Sequence, residues 1–275
     1  MSTATQEKKR GELEGLLSQV IETGRNLRPF MVFHGPEKVG KTSLAAQAKN
    51  PFFLMSHGEV GLETLIDHGQ LAPVPHLPEI KTWVDFREAI KALTESDHGF
   101  ETLVLDTMNG FEAMLYEHVC RKDYGGNWSN KGFMNFMQGY RTSTPVWKEM
   151  LRDLDTLREK RGMSVIALCH THIKGFKNPS GPDYDQYVPQ MHADQWGALH
   201  KCADLIGFIN TIVVVDEDGT RAKGKGGTER WMYCQNSATA VAGNRFGMTQ
   251  FPLGKDAPTG WKNLNKNKKE AKKNG

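Results

Sequence analysis

The phosphate-loop pattern at residues 35–42 constrains this chain more than any other feature. These residues read Gly-Pro-Glu-Lys-Val-Gly-Lys-Thr and match G-x-x-x-x-G-K-[ST] at every fixed position. An apolar run at 30–33 precedes the loop, and a helix-forming stretch at 43–48 follows it. A strand, a glycine loop and a helix in this order place main-chain N–H groups around an anion. We therefore expect an α/β domain that binds a nucleoside triphosphate.

Two side chains of this loop have expected roles in binding phosphate and metal. Lys41 is expected to reach the β- and γ-phosphates, and the Thr42 hydroxyl is expected to ligate Mg²⁺. The sequence contains no N-K-x-D guanine pattern, so adenine is preferred over guanine and the expected ligand is ATP with Mg²⁺. The predicted nucleotide-binding residues are Gly35, Pro36, Glu37, Lys38, Val39, Gly40, Lys41, Thr42 and Ser43.

Two carboxylates are predicted to complete the site because each lies near the end of an apolar strand. Asp106 ends the run at 102–106, where a carboxylate can hold Mg²⁺ through water. Glu59 follows the strand predicted at 52–55 and could orient and partly deprotonate the attacking water, with Glu63 as the alternative. A helix cap is the other interpretation of Asp106, and a surface turn is that of Glu59.

A histidine is predicted to join these carboxylates at the same edge of the sheet. His170 follows the strand predicted at 163–169. From that place its side chain could contact the γ-phosphate and transmit hydrolysis to the loop that follows. The alternative is a buried structural histidine.

The order of predicted elements indicates the fold class and the limits of the domain. Strands alternate with helices up to about residue 202, and short strands follow, which predicts a mostly parallel sheet with helices on both faces and an antiparallel C-terminal extension. We expect a helical segment over 1–27, an ATPase domain over 28–253 and a basic tail over 254–275. The last fifteen residues contain six lysines and one glutamate, so the tail is predicted to be disordered, or else to contact nucleic-acid phosphate.

Composition excludes some classes of protein and indicates a compartment. No uninterrupted apolar stretch approaches the length of a membrane span, and the N-terminus has no signal-peptide pattern. The four cysteines stand singly, without a C-x-x-C pair, which argues against a zinc site or a disulfide framework. A cytoplasmic location without membrane contact is therefore expected.

These motifs together resemble those of RecA-like P-loop ATPases. The closest resemblance is to the short phage branch of ATP-binding proteins that act in single-strand annealing and recombination, and it covers roughly 28–250. RecA/RadA-type proteins often carry Lys-Asn-Arg-Phe-Gly on a late strand, whose basic groups meet a neighbour's nucleotide. This chain has Gly243 in place of the lysine and matches at 244–247. The resemblance implies that Arg245 serves as a finger acting in trans; a surface strand residue is the alternative.

The resemblance further implies a slow, DNA-stimulated ATPase that assembles on single-stranded DNA as a ring or filament in the host cytoplasm. A single-strand-binding protein is a candidate partner. Loops predicted at 120–144 and 173–194 could contact DNA, because aromatic side chains stack on bases and cations meet phosphates. A folded lid or a subunit contact is the alternative for each loop. The DNA-binding candidates are Lys122, Tyr124, Trp128, Lys131, Phe133, Arg141, Lys174 and Lys177.

Two other functions agree with the same nucleotide site. One is a RecA-like regulatory ATPase that binds a protein partner in place of DNA. The other is a P-loop kinase that transfers the γ-phosphate to a small acceptor, although no clear arginine-bearing lid motif is present.

Overall fold

A mostly parallel β-sheet organises the part of the chain that the computed structural model describes, residues 27–216 and 223–274 with residues 15, 18 and 24. The strands are β1 (Phe30–His34), β2 (Pro51–Met55), β3 (Thr102–Asp106), β4 (Ser164–Cys169), β5 (Thr171–Phe176), β6 (Tyr184–Pro189), β7 (Leu205–Asp216), β8 (Lys223–Tyr233), β9 (Gly243–Asn244) and β10 (Phe251–Gly254). The helices are α1 (Lys41–Ala45), α2 (Gly61–Asp67), α3 (Trp83–Glu95), α4 (Met108–Tyr124), α5 (Gln138–Arg161), α6 (Ala193–Cys202) and α7 (Ala257–Asn274), with a 3₁₀ turn at Asn135–Met137. The helical segment predicted over 1–27 falls largely outside the described residues.

The order of the strands confirms the predicted α/β class. The main sheet runs β10-β8-β7-β1-β4-β3-β2, with β9 paired to β7. The strands from β7 to β2 are parallel neighbours, whereas β8, β9 and β10 join by antiparallel pairing. This is the predicted mostly parallel sheet with its antiparallel extension. Strands β5 and β6 form a separate hairpin.

Alternate side chains of the central strands pack on opposite faces of the sheet. On β1, Phe30 and Val32 join a cluster formed with α3, α4, α5 and α6. Met31 and Phe33 join a second cluster with α1, α2 and α7. The strands are buried on both faces, which explains why they read as continuous apolar runs in the sequence. Helices therefore lie on both faces, as predicted.

The C-terminal segment is a helix, so the prediction of a disordered tail is wrong for 257–274. Helix α7 packs Leu264, which is 2% exposed, against the second core cluster, together with Trp261 and Ala271. The ammonium of Lys268 lies 4.5 Å from the centre of the Phe246 ring. These four positions are spaced by three, four and three residues, a helical stripe that the lysine-rich composition concealed.

The two predicted loops contain more regular structure than the sequence indicates. Helix α4 continues to Tyr124 and α5 already begins at Gln138, so the irregular segment shortens to 125–137. The second loop contains most of the β5–β6 hairpin. Both corrections have one cause, since Gly, Asn and charged residues weaken the periodic pattern without preventing these elements.

No helix among the described residues combines the length and the apolar content that crossing a lipid bilayer requires.

Candidate active site

The phosphate loop connects β1 to α1 and lies against β7. A Cβ on Gly35 would lie 2.2 Å from the Ile209 carbonyl oxygen, so only glycine allows this approach. Gly40 has φ +92°, in the left-handed region that glycine adopts without strain. The loop thus begins beside one neighbouring strand and ends at the first helical residue, Lys41.

Lys41 is buried inside this loop at 7% exposure. Its ammonium donates to the carbonyl oxygens of Gly35 and Pro36, each at 2.8 Å. Burial lowers the pKa of Lys41, whereas the nearby Asp106 carboxylate acts to raise it. The cation is therefore folded back onto its own loop, where it is placed to meet anionic oxygens in the cavity of the loop.

Thr42 and Asp106 lie together as predicted for a magnesium site. The Thr42 hydroxyl donates to Asp106 Oδ2 at 2.8 Å. Asp106 ends β3 and is 4% exposed, and burial raises the pKa of its carboxyl group to about 6. A hydroxyl and a carboxylate are the oxygen donors that Mg²⁺ prefers. These two residues fit the metal, because a cation would reduce the cost of burying an ionised Asp106.

Glu59 lies at the same edge of the sheet and is bonded to two neighbours. Its Oε1 accepts a hydrogen bond from the Thr107 hydroxyl at 3.0 Å and from His170 Nε2 at 2.9 Å. The bond from His170 is the main reason that the pKa of Glu59 is lowered. The alternative residue, Glu63, is half-exposed and lies 3.8 Å from the ring of His76. The structure therefore brings Glu59, rather than Glu63, to Asp106 and His170.

His170 joins this site to the β5–β6 hairpin. Its main-chain N–H donates to Asn109 Oδ1 at 2.7 Å, and the Asn109 amide donates to the Gln190 carbonyl. His170 and Gln190 flank the two ends of the hairpin. Asn109, in the first turn of α4, therefore holds both ends beside Glu59. His170 Nδ1 is buried without a hydrogen-bond partner among the described residues.

His34 is a second link to the hairpin, and sequence reasoning missed it. The residue ends β1 just before the phosphate loop and is fully buried. Burial lowers the pKa of His34 to about 4, so the ring is neutral near pH 7. Its Nε2 donates to the Val241 carbonyl at 2.6 Å, and its Nδ1 then accepts from the Thr171 hydroxyl at 2.9 Å. The feature of the sequence that could have identified His34 is its position between the apolar strand and the phosphate loop.

Arg245 lies away from the other predicted catalytic residues of its own chain. Asn244 pairs with Leu205, which pairs with Met31 at the start of β1, whereas the phosphate loop follows the end of that strand. The Arg245 guanidinium, 59% exposed, donates to Asp204 at 3.0 Å and to the Lys201 carbonyl at 2.7 Å. Contact between Arg245 and a nucleotide would require a second copy, so its action in trans stays a prediction.

The first DNA-binding candidates divide between the core and the surface. Phe133 is fully buried and its ring packs on Tyr124, Trp128 and Tyr140, so the prediction that it contacts DNA is wrong. Tyr124 is half-buried in the same aromatic cluster, and its hydroxyl lies 2.9 Å from that of Thr142. The exposed members of this set are Lys122, Trp128, Lys131 and Arg141.

The second set of candidates lies on the hairpin. Lys174 is exposed on β5, and Lys177 lies at the turn in contact with Asp183. Two apolar side chains of β5 are also exposed, Ile173 at 58% and Phe176 at 43%. The hairpin thus presents cations and apolar side chains on an element bonded to the nucleotide site.

Comparison with known proteins identifies the family. The family model described as an AAA domain matches residues 28–246, well over half of the chain. The chain belongs to the AAA-domain family. No curated protein matches it in sequence. Among solved structures, the crystal structure of the RadB recombinase matches with a TM-score of 0.40 and 16% identity, over 80% of this chain and 84% of that one.

Membership of the AAA-domain family agrees with the site described above. The strand order of the sheet shows a mostly parallel α/β core with the phosphate loop after its central strand β1. A phosphate loop, a buried strand-end aspartate and a neighbouring glutamate together indicate a P-loop NTPase.

Proposed function

We propose that this member of the AAA-domain family binds and hydrolyses ATP. The observation that supports hydrolysis most directly is the position of Glu59, which shares one edge of the sheet with the Thr42–Asp106 pair. Its lowered pKa keeps the carboxylate ionised near pH 7, the form that can orient the attacking water and take its proton in the transition state.

The residues of the site divide the work of hydrolysis. Thr42 and Asp106 would hold Mg²⁺, which would neutralise charge on the phosphate oxygens. Lys41 would exchange the carbonyls of Gly35 and Pro36 for phosphate oxygens. Within the described residues, both hydrogen bonds to Glu59 fall on Oε1. Oε2 is therefore left to accept the proton of the attacking water.

Single-stranded DNA is the partner that we propose for the hairpin. Thr171 is bonded to His34 before the phosphate loop, and His170 is bonded to Glu59. A movement at either residue would reach β5, where Lys174 and Phe176 are exposed. Cations with apolar side chains suit phosphate contact and base stacking. This coupling would make ATP hydrolysis depend on DNA.

The wider setting of this activity is also a proposal. Arg245 would complete the nucleotide site of a second copy in a ring or filament, which its exposure permits. The resemblance of the motifs to phage annealing and recombination ATPases supports a role in that process. A single-strand-binding protein as partner and a cytoplasmic location belong to the same proposal.

The test is the steady-state ATPase rate with and without a single-stranded oligonucleotide, at low and at high salt. We expect the rate to rise with the oligonucleotide and the rise to shrink at high salt, because phosphate contacts release counterions. Lys41→Ala is the control and should abolish ATP binding. Particle images under the same conditions would show whether rings or filaments form.

Other outcomes would support the alternative functions. ATP hydrolysis that is indifferent to DNA would contradict the DNA role and favour a regulatory ATPase with a protein partner. Transfer of the γ-phosphate to a nucleoside or nucleotide would establish a kinase instead. ATP binding retained by Lys41→Ala would contradict the assignment of the loop itself.

A further inference from the structure

Arg230 is an arginine at the phosphate loop to which sequence reasoning gave no role. It lies on β8, paired with Thr211 of β7 and with Gly254 of β10. Its Nη1 donates to the Val39 carbonyl oxygen at 3.2 Å. A Cβ on Gly40 would lie 2.2 Å from the same nitrogen, so the guanidinium rests directly on the loop backbone. A half-buried cation thus lies against the segment that binds phosphate.

No carboxylate within the described ranges forms an ion pair with Arg230. Two other half-buried or buried arginines behave differently, since Arg87 pairs with Asp153 and Arg158 with Asp204. Arg230 instead uses one donor on a neutral carbonyl. A guanidinium has five N–H donors, and among the residues that the structure describes only Nη1 of Arg230 has an acceptor, so the other donors can meet an anion.

The order of the strands shows which part of a nucleotide would reach this cation. β4, β3 and β2 lie on one side of β1 and place Asp106, Glu59 and His170 there. β7 and β8 lie on the other side of β1 and carry Arg230. The residues expected to act on the terminal phosphate therefore lie on one side of β1. Arg230 lies on the other side of β1, against Val39 and Gly40, where we expect the phosphate attached to the nucleoside.

We propose that Arg230 binds the α-phosphate of a nucleoside di- or triphosphate bound to its own chain. On binding, the guanidinium exchanges the Val39 carbonyl for a phosphate oxygen. This inference rests on nucleotide binding at the loop, as in the proposed function, but not on hydrolysis or DNA. Because ATP and ADP share the α-phosphate, Arg230 contributes equally to the affinity for both.

The test measures dissociation constants of ATP and ADP by calorimetry for Arg230→Ala, Arg230→Gln and Arg230→Lys. Arg230→Ala is expected to weaken ATP and ADP by a similar factor, about 10- to 100-fold for a lost charge-assisted contact. Arg230→Gln, which keeps a donor for Val39 but no charge, should lose nearly as much. Arg230→Lys should recover part of the affinity. Arg152→Ala, at an exposed position of α5, is the matched control and should bind normally.

A sulfur substitution at the α-phosphate identifies the contacted group. The wild-type protein should discriminate between the two diastereomers of ATP with sulfur on the α-phosphate, and Arg230→Ala should lose much of that discrimination. Weaker binding of ATP with unchanged binding of ADP would overturn the proposal, because it would place Arg230 at the terminal phosphate. Wild-type affinity in Arg230→Gln would also overturn it, because only the bond to Val39 would then matter. If the wild-type protein bound no nucleotide, the proposed function would fail as well.

Discussion

Glu59 carries the expected chemistry of hydrolysis at the scale of a single residue. Glu59→Gln keeps the size of the side chain and an oxygen for Thr107 and His170, but it cannot take a proton from water. We expect ATP affinity to be retained and kcat to fall by about 100-fold or more. Single-turnover hydrolysis and equilibrium binding of ATP measure the two effects separately.

The control for this prediction is Glu63→Gln, a neighbouring carboxylate that is half-exposed on α2. It should hydrolyse ATP at the wild-type rate. Normal turnover by Glu59→Gln would show that another group activates the water, and loss of turnover in Glu63→Gln would identify that group.

Glu112 predicts a dependence of stability on pH that is separate from the nucleotide site. Its Oε1 accepts from the Tyr116 hydroxyl at 2.7 Å and from the His192 N–H at 3.0 Å. Burial raises the pKa of Glu112 from 4.5 to about 7. The folded state thus holds a proton that the unfolded chain has lost between these values. The free energy of unfolding therefore falls as pH rises from about 4.5 to 7.

Glu112→Gln removes this ionisation and keeps an oxygen that accepts both hydrogen bonds. Relative to the wild type, the variant should gain roughly 3 kcal/mol of stability between pH 4.5 and pH 8, since one pKa unit corresponds to about 1.4 kcal/mol. Urea unfolding at the two pH values measures the difference. Glu88→Gln, at an exposed position of α3, is the control. An equal difference between wild type and Glu112→Gln at both pH values would contradict the assigned ionisation.

Single residues could be predicted where a motif or a strand end fixes their place. The phosphate loop predicts Lys41 and Thr42 directly, and the ends of parallel strands predict Asp106 and His170. Arg230 could not be found in this way, because its contact with the loop depends on the register of β8 against β7. Arg230 and Val39 are 191 positions apart, so their contact leaves no local pattern in the sequence.

At the scale of an element, the segment 125–137 contains both a core aromatic residue and exposed apolar side chains. Phe133 is fully buried, whereas Phe136, three residues later, is 86% exposed. Phe136 has φ +43°, an uncommon conformation for a large side chain. Three further apolar side chains are exposed in the same segment: Trp128, Met134 and Met137. Such a set of exposed side chains suits stacking on bases.

Phe136→Ala is expected to reduce affinity for single-stranded DNA by about 5- to 100-fold without changing the midpoint of thermal unfolding, since stacking contributes about 1–3 kcal/mol per base. Phe133→Ala provides the contrast, because it should cost about 3–5 kcal/mol of stability through a cavity. Fluorescence anisotropy with a labelled oligonucleotide and thermal melts measure the two effects. Unchanged DNA affinity in Phe136→Ala would remove this segment from the DNA-binding surface.

Elements with a strong apolar period can be predicted from the sequence. Elements that are stabilised mainly by pairing with other segments of the chain cannot. The buried strands β1, β3 and β4 and the helix α4 agree closely with the sequence pattern. The sequence indicates a loop at the hairpin because β5 is exposed along most of its length and lacks an apolar pattern. Its strands are stabilised by pairing with each other, and β6 is bonded in addition to Thr239 and Val241. Such partners become visible only when the chain has folded.

At the scale of the whole molecule, the strands on the two sides of β1 carry different residues of the nucleotide site that we propose. The side with β4, β3 and β2 carries the residues that we propose for hydrolysis, and the side with β7 and β8 carries Arg230. The hairpin is bonded to the first group through His170 and to the start of the loop through His34. One bound nucleotide would therefore contact residues from both sides of β1, and the hairpin is bonded to this site through His170 and His34.

Helix α7 attaches a row of positive charge to this core. Trp261, Leu264 and Ala271 face the second core cluster, so deleting the helix would remove buried apolar area and destabilise the domain. Four other side chains follow helical spacing, are exposed, and line one shallow groove on the surface: Lys262, Lys266, Lys269 and Lys273. Replacing these four by glutamine removes the charge without touching the buried face.

If this row contacts DNA phosphates, its loss should make the salt dependence of DNA affinity shallower. For single strands the slope of log K against log salt falls by about 0.7 for each phosphate contact, so four lost contacts would reduce it by roughly 3. The slope is measured from DNA titrations between about 50 and 200 mM salt. A control with the same change in net charge replaces four exposed lysines elsewhere, Lys81, Lys91, Lys148 and Lys160. An equal reduction in both variants would show that net charge alone acts on the DNA, and an unchanged slope in the α7 variant would leave this helix a purely structural role.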